Sequence, residues 1–268
     1  MAGLNRLRSS RRLWWIAGGV AVVLLGVSFG TPKAGCAGSP DDQPDDVETR
    51  AIATELATLE HAPEASGSGA LVAIEESRFC PTAGRVAGLG KQAFKVNVGG
   101  MRGVIAGDTS RSAELAFVFR GPSKETAPLA DGSLRQQIGL KLRAFNTCNV
   151  VYVMWHILPE QGLWVMVKSN PGQTEHAQCH DNGYTTVMPT KSAPLPELRV
   201  DEGHTLRADL DGDALRVFAD GAPVWEGKLP RVALSVDGPV GTRSDNGEFD
   251  FELRIPPGGS ARSCDVVE

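Results

Sequence analysis

The chain has no glycine-rich phosphate-binding loop, no internal repeat and no long helical pattern between its apolar runs. A β-propeller repeats a similar blade along the sequence, so the missing repeat excludes that fold. The five histidines are scattered, and no Ser-His-Asp order can be argued from them. The apolar runs are short and are interrupted by many of the 17 prolines and 31 glycines, which favours an all-β fold.

Clustered basic residues are also lacking. The net charge is −5, and residues 1–33 contain five basic and no acidic residues, so the rest of the chain carries −10. Binding to a nucleic acid backbone depends on clusters of lysine and arginine. We therefore expect no nucleic-acid partner.

The strongest structural pattern lies in residues 135–168, which predict three adjacent antiparallel strands. Polar and apolar residues alternate over 137–144, as in a strand with one wet face. Residues 150–157 are nearly all apolar and β-favouring, as expected of a strand covered on both faces. A turn then leads into a third strand over 163–167. These strands predict the centre of a sheet.

Shorter strands are predicted on both sides of this centre, at residues 71–75, 93–98, 103–106, 115–119, 205–209, 215–219, 224–226, 232–236 and 249–253. Asp-Gly and similar turn signals separate several of them. Many short strands predict an all-β, two-sheet antiparallel β-sandwich, or jelly roll, over residues 70–256, with a tail over 257–268.

The amino-terminal segment, residues 1–30, predicts a transmembrane or signal helix that follows four arginines. The uncharged apolar run 13–29 is at the short end of the roughly 17 to 25 residues that span a bilayer. Three alternatives are open: an uncleaved signal anchor, a signal peptide cleaved near Gly30, or a lipoprotein anchored through Cys36, where Ala34-Gly35-Cys36 is similar to a bacterial lipobox. In each case basic residues keep the start of the chain in the cytoplasm. The domain is then expected in the cell envelope, periplasmic or extracellular and tied to the membrane.

Residues 31–69 are rich in proline, aspartate, serine, glycine and alanine, which predicts a linker between membrane and domain. Within the linker, residues 47–60 have helical spacing after a candidate N-cap at Asp45 or Asp46. This segment is either a short solvated helix or a helix that docks on a partner.

Five cysteines in an exported chain suggest two disulfides and one cysteine left over. We favour Cys148 with Cys179 and Cys80 with Cys264, although four cysteines allow three connectivities. The alternative for the first pair is a zinc site that adds His176 and His180. We expect the disulfide, and no metal.

Residues 203–254 resemble the closing strands of concanavalin A-like lectin and glucanase domains, including the laminin-G-like and 3-keto-disaccharide hydrolase-like groups. The stretches HTLRADLDGDALRVFADGAPVWEG and GPVGTRSDNGEFDFEL carry this resemblance. It implies a curved sheet whose concave face could hold a sugar or a peptide.

The motif Glu248-x-Asp250-x-Glu252 is similar to that of xyloglucan-active and laminarinase-like glucanases. The resemblance implies Glu248 as nucleophile, Asp250 as helper and Glu252 as acid/base, the pair of carboxylates that retaining glycoside hydrolysis requires. The alternative is a final strand whose phenylalanines lie in the core and whose charges lie in solvent.

Three tryptophans are candidates for stacking on sugar rings. We expect Trp155 and Trp164 to pack in the core, because they lie in the most apolar strands, and Trp225 to be exposed. Asp211-Gly212-Asp213, after Asp209, predicts a hairpin turn, with a lectin-type calcium as the alternative.

Taken together, these features favour a binding module for carbohydrate or an envelope partner, without a cofactor, rather than an enzyme. A glycoside or 3-keto-sugar hydrolase of the same fold is one alternative. A structural envelope protein without a ligand site is the other.

Overall fold

The structure, a computed structural model, describes residues 70–90, 92–258 and 264. The predicted anchor, the predicted linker with its helical segment, and Cys36 all lie outside these residues. Among the residues described, no helix is long and apolar enough to cross a membrane.

Within this part of the chain, sixteen strands and three short helical turns follow one another. The strands are β1 Val72–Ala73, β2 Phe79–Ala83, β3 Ala87–Gly88, β4 Phe94–Asn97, β5 Gly100–Ile105, β6 Ser112–Pro122, β7 Gln136–Leu142, β8 Val150–Leu158, β9 Gly162–Lys168, β10 Tyr184–Thr186, β11 Lys191–Ser192, β12 Gly203–Asp211, β13 Ala214–Ala219, β14 Ala222–Lys228, β15 Gly241–Asp245 and β16 Gly247–Ile255. A 3-10 turn spans Glu76–Arg78, and one-turn helices span α1 His176–Cys179 and α2 Arg231–Leu234.

These strands form two antiparallel sheets, which confirms the predicted all-β, two-sheet sandwich. The larger sheet has the order β11-β14-β13-β12-β6-β16-β4-β3, with β1 also paired to β16. The seven-stranded sheet has the order β10-β9-β8-β7-β15-β5-β2. The three central strands predicted from the sequence are β7, β8 and β9, which are neighbours in the seven-stranded sheet.

The core lies between the sheets, because alternate residues of each strand point towards the facing sheet. In β7 these are Ile138, Leu140 and Leu142, all buried. Across the core, the Phe117 ring of β6 meets Trp155 of β8 edge-on, with ring centroids 5.6 Å apart. Burial of such side chains stabilises the fold by about 1.5–3 kcal/mol each.

One strand assignment from the sequence is wrong, and strands β2, β3, β10, β11 and β15 were not predicted. Residues 231–234 form helix α2 rather than part of a strand over 232–236, because Pro230 sits at the helix N-cap with a fixed φ of −66°. Strand β15 was not predicted, because its sequence Gly-Thr-Arg-Ser-Asp has little β propensity. It is nevertheless held between β5 and β7 and is buried along its whole length.

Turn chemistry agrees with the sequence at the β13–β14 hairpin. Asp220 and Gly221 have φ of 49° and 77°, the left-handed conformation that a two-residue hairpin loop demands. Asp211, Gly212 and Asp213 likewise lie at the β12–β13 hairpin.

Both favoured disulfides are present. Cys80 in β2 is bonded to Cys264, 184 residues away, and Cys148 before β8 is bonded to Cys179 in α1. The second bond ties the loop between β9 and β10 to the turn between β7 and β8. Such bonds form and persist outside the reducing cytoplasm. They therefore place the domain in an extracellular or periplasmic setting.

Candidate functional site

An open cleft of about 730 Å³ lies on the outer face of the seven-stranded sheet. We call it the sheet cleft. Its floor consists of outward-pointing residues of the strands, and its walls come from the segments at 128–135, 146–147 and 176–181. The side chains on the floor include Arg102, Gln137, Lys141, Tyr152, Met166, Lys168, Tyr184 and Arg243.

One register explains why these side chains meet. Lys141 of β7 lies opposite Tyr152 of β8, which lies opposite Met166 of β9. On the other side, Lys141 pairs with Gly241 of β15. Since residues two apart share a face, this row and its neighbours together form the floor.

Two floor positions carry no side chain. A Cβ atom at Gly139 would lie 2.1 Å from the Val153 carbonyl oxygen, and one at Gly241 would lie 2.0 Å from that of Gly103. Neither position admits a larger residue without a shift of backbone. Glycine at both positions therefore allows the neighbouring strands to approach closely at the centre of the sheet.

An aromatic pair stands at one side of the floor. The rings of Tyr152 and Tyr184 are stacked, with centroids 6.2 Å apart and planes 24° from parallel. Tyr184 is 38% exposed, whereas Tyr152 is buried. Burial and the nearby Tyr152 raise the pKa of Tyr184 to about 12. Its hydroxyl therefore stays protonated at neutral pH and remains able to donate a hydrogen bond.

A buried carboxylate organises the cations of the floor. Asp245 accepts hydrogen bonds from Arg102 (2.8 Å), Arg243 (2.7 Å) and Gln137 (2.7 Å). Burial raises the pKa of Asp245, but the two guanidinium groups outweigh burial and hold the pKa below its usual range. The Arg243 guanidinium also lies 5.1 Å from the centroid of the Tyr152 ring. The network fixes both arginines at the floor of the cleft.

Lys141 and Lys168 are the other buried cations of the floor. Burial, together with the Arg102 and Arg243 charges, lowers the pKa of Lys141 from its ordinary 10.5 to about 7. The Lys168 ammonium donates to the His180 carbonyl (2.6 Å) and lies 5.2 Å from the centroid of the Tyr184 ring. Burial lowers its pKa as well, against the opposing effect of Asp181.

Trp164 was expected in the core, and the structure corrects this. It shares the outer face of β9 with Met166 and Lys168, because Val165 and Val167 point inwards. Its side chain is 44% exposed and lies beside the sheet cleft, where it lines a neighbouring apolar groove with Met188.

Trp225 was expected to be exposed, and this is also wrong. It is 4% exposed and belongs to the core, where its ring lies over Gly227, the next residue on the same face of β14. Trp155 is fully buried, as predicted for the apolar strand β8. Trp155 therefore cannot stack on a sugar in this structure, and Trp225 reaches the surface only in the groove that it lines with Trp164.

The three candidate carboxylates of β16 lie on the outer face of the larger sheet, away from the sheet cleft. Each has a cation: Glu248 pairs with Lys95 (2.8 Å), Asp250 with Arg120 (2.7 Å) and Glu252 with Arg254 (2.9 Å). Their neighbours Phe249, Phe251 and Leu253 fill the core. The structure thus matches the alternative interpretation of this motif, a final strand whose phenylalanines lie in the core. It differs in one respect: Asp250 and Glu252 are buried beside their basic partners rather than exposed to solvent.

The candidate metal residues are also engaged otherwise. Cys179 is in a disulfide, so it has no thiolate to offer beside His176 and His180. Asp209 pairs with Arg207, and Asp213 pairs with Lys228. Across residues 70–90, 92–258 and 264, no group of three His, Cys, Asp or Glu side chains is placed to hold a metal ion.

No protein-family model and no curated protein matches the chain. Similar solved structures include the carbohydrate-binding module CBM66 of Bacillus subtilis, at 12% identity and a TM-score of 0.45, over 65% of this chain and 92% of that one. The carbohydrate recognition domain of Emp46p matches at 11% identity and a TM-score of 0.43, over 67% and 88% of the two chains. The transglycosylase Crh5 matches at 16% identity and a TM-score of 0.40, over 74% and 82%.

By name, these neighbours are a carbohydrate-binding module, a carbohydrate recognition domain and a transglycosylase. At this level of similarity, they carry no argument about what this chain binds.

The cleft residues were not singled out from the sequence. The alternation of Gln137 and Lys141 with apolar residues in β7 could have pointed to the cleft, but it predicts only a strand with one solvent-exposed face. Arg243 and Asp245 lie in β15, which was not predicted, and Tyr184 begins β10, another strand that was not predicted and that pairs with β9.

Proposed function

We propose that this domain is a carbohydrate-binding module and that its sugar lies along the sheet cleft. The observation that carries the proposal is the half-exposed Tyr184 ring, stacked on Tyr152, beside hydrogen-bonding groups that a buried carboxylate holds in place. A pyranose offers an apolar face to an aromatic ring and hydroxyl groups to the polar side chains around it.

The size and rigidity of the cleft support this function. Its volume of about 730 Å³ falls within the roughly 300–1,000 Å³ of ligand sites. The groups on its floor belong to paired strands rather than to free loops. The Cys148–Cys179 bond fastens the wall that carries His176. A preformed site loses little entropy on binding, which favours affinity.

For its location, we propose that residues 1–30 hold the domain at a membrane and that residues 31–69 space it from the surface. The two disulfides support an exported location for the domain. Binding is proposed to need no cofactor, including calcium.

The test is titration of the purified full chain, with its disulfides intact, against a panel of oligosaccharides with and without calcium. A saturable rise in melting temperature reports binding to the folded state. Tyr184→Ala should reduce the affinity of the bound sugar about tenfold or more, and Phe145→Ala, which removes another exposed aromatic ring, should leave it unchanged. A chain that no sugar stabilises, or a Tyr184→Ala variant that binds like the unaltered chain, would overturn the proposal.

A further inference from the structure

Lys141 lies at the centre of the cleft floor, between β15 and β8. Its side chain comes from the outer face of β7 and is only 7% exposed, yet it lines the sheet cleft. Among the residues that the structure describes, no carboxylate forms an ion pair with it and no carbonyl accepts a hydrogen bond from it. A buried ammonium without a partner is costly, so natural proteins rarely keep one without a use.

Other cations surround Lys141. Arg102 on β5 and Arg243 on β15 are near enough to lower its pKa by repulsion. Its neighbour on β8 is Tyr152, and Lys168 lines the same cleft from β9. Lys141, Arg102 and Arg243 thus form a cluster of three positive side chains on the cleft floor.

The carboxylates of the cleft are already engaged. Asp245 is shared by Arg102, Arg243 and Gln137. In the wall, Asp131 pairs with Arg135 at 2.8 Å. The remaining carboxylate of the lining, Asp181, acts on Lys168. The cleft therefore carries more positive than negative charge, although the chain as a whole is negative.

From this arrangement we infer that the sugars bound in the sheet cleft carry a carboxylate, as uronic acids do, and that Lys141 receives it between Arg102 and Arg243. The inference rests on the proposed carbohydrate-binding function. Arginine side chains hold a carboxylate through paired N–H groups, and the lysine adds a point charge. The Tyr152–Tyr184 pair then lies beside the acid group, where the ring of the same or the next sugar can stack.

The experiment compares two ligands that differ in one group: an oligogalacturonate and the neutral galacto-oligosaccharide of the same length. Calorimetric titration of the full chain should give at least tenfold tighter binding of the acidic ligand. Lys141→Met should remove most of that difference. Lys228→Met, which removes an exposed lysine of the larger sheet, is the matched control and should behave like the unaltered chain.

The possible results distinguish a preference for acidic sugars from the carbohydrate binding on which it rests. Equal affinity for both ligands, unaffected by Lys141→Met, would overturn the inference and leave carbohydrate binding intact. Failure of every sugar in the panel, acidic or neutral, would overturn the proposed function itself. Preference for dextran sulfate over the oligogalacturonate would overturn the carboxylate assignment, as would inorganic phosphate or sulfate competing at equal concentration. A folded Lys141→Met variant, checked by its melting curve, makes each result interpretable.

Discussion

The imidazole of His156 and the indole of Trp164 lie stacked across two strands, with centroids 5.3 Å apart and planes 17° from parallel. The indole is 44% exposed and the imidazole only 5%, so the indole shields the histidine from solvent. Burial, with the Arg135 and Arg243 charges, lowers the pKa of His156 to about 3. The histidine therefore stays neutral in the folded protein at mildly acidic pH.

This pKa predicts a loss of stability in acid. An unfolded histidine takes up a proton below about pH 6.5, whereas folded His156 does so only near pH 3, so the folded state loses stability as pH falls between these values. The free energy of unfolding, measured with urea, should decrease between pH 7 and pH 4.5. In the His156→Phe variant this decrease should be smaller by about 2 kcal/mol. The exposed His176→Gln serves as control and should keep the full decrease. An unchanged decrease in His156→Phe would contradict the assignment.

Lys141→Met should stabilise the protein. The pKa of Lys141 is lowered from 10.5 to about 7 on folding, so below pH 7 the folded state bears the full cost of the buried charge. The gain in unfolding free energy should be about 2 kcal/mol at pH 6 and should shrink as pH rises towards 10.5. Chemical unfolding at pH 6 and pH 9.5 measures it. A destabilised variant at pH 6 would show that Lys141 has a partner.

Asp245→Asn and Asp250→Asn form a matched pair on the two sheets. Both carboxylates are 1% exposed and both pair with arginine, so each substitution should cost about 3 kcal/mol of stability. Only Asp245→Asn should also weaken sugar binding, since it releases Arg102 and Arg243 in the sheet cleft. Melting curves and titration at a temperature where both variants are folded test this. If Asp250→Asn abolished binding or hydrolysis, a site on the larger sheet would be indicated.

Removal of the Cys148–Cys179 bond, as the double serine variant, should cost about 3 kcal/mol. It should also weaken sugar binding several-fold, because the bond fastens the segment that brings Asp181 and Tyr184 to the cleft. The Cys80–Cys264 bond closes a longer loop. Its removal should therefore cost more stability, with less effect on the affinity for sugar. If removal of Cys80–Cys264 weakened sugar binding more than removal of Cys148–Cys179, these assigned roles would be wrong.

Much of the fold could be predicted from residue patterns, because alternation and turn chemistry act locally. Ile138, Leu140 and Leu142 follow the period of two, and Asp220-Gly221 has the conformation of its hairpin. The positions of Trp164 and Trp225 could not be predicted in the same way. Which face of a strand is inward depends on the opposing sheet, and the ring of Trp225 turns inward over Gly227.

The site was less predictable than the fold for a physical reason. A floor of charged side chains depends on strands far apart in sequence: Arg102, Lys141 and Arg243 meet only when β5, β15 and β7 pair. Strand β15 has low intrinsic β propensity and is held in place by its neighbours. Conversely, Glu248, Asp250 and Glu252 form a conspicuous local motif, but their partners Lys95, Arg120 and Arg254 could be recognised only from the pairing of the larger sheet.

The bond between Cys80 and Cys264 joins two points close to the ends of the described domain. If the chain is pulled at points outside these two cysteines, one before Cys80 and one after Cys264, the tension passes through this bond. The strands between the two cysteines lie outside the path of the force and carry no load. Only the segment before Cys80, with β1, can peel away, so the sheet cleft keeps its shape under a pull that would unravel an unbridged sandwich.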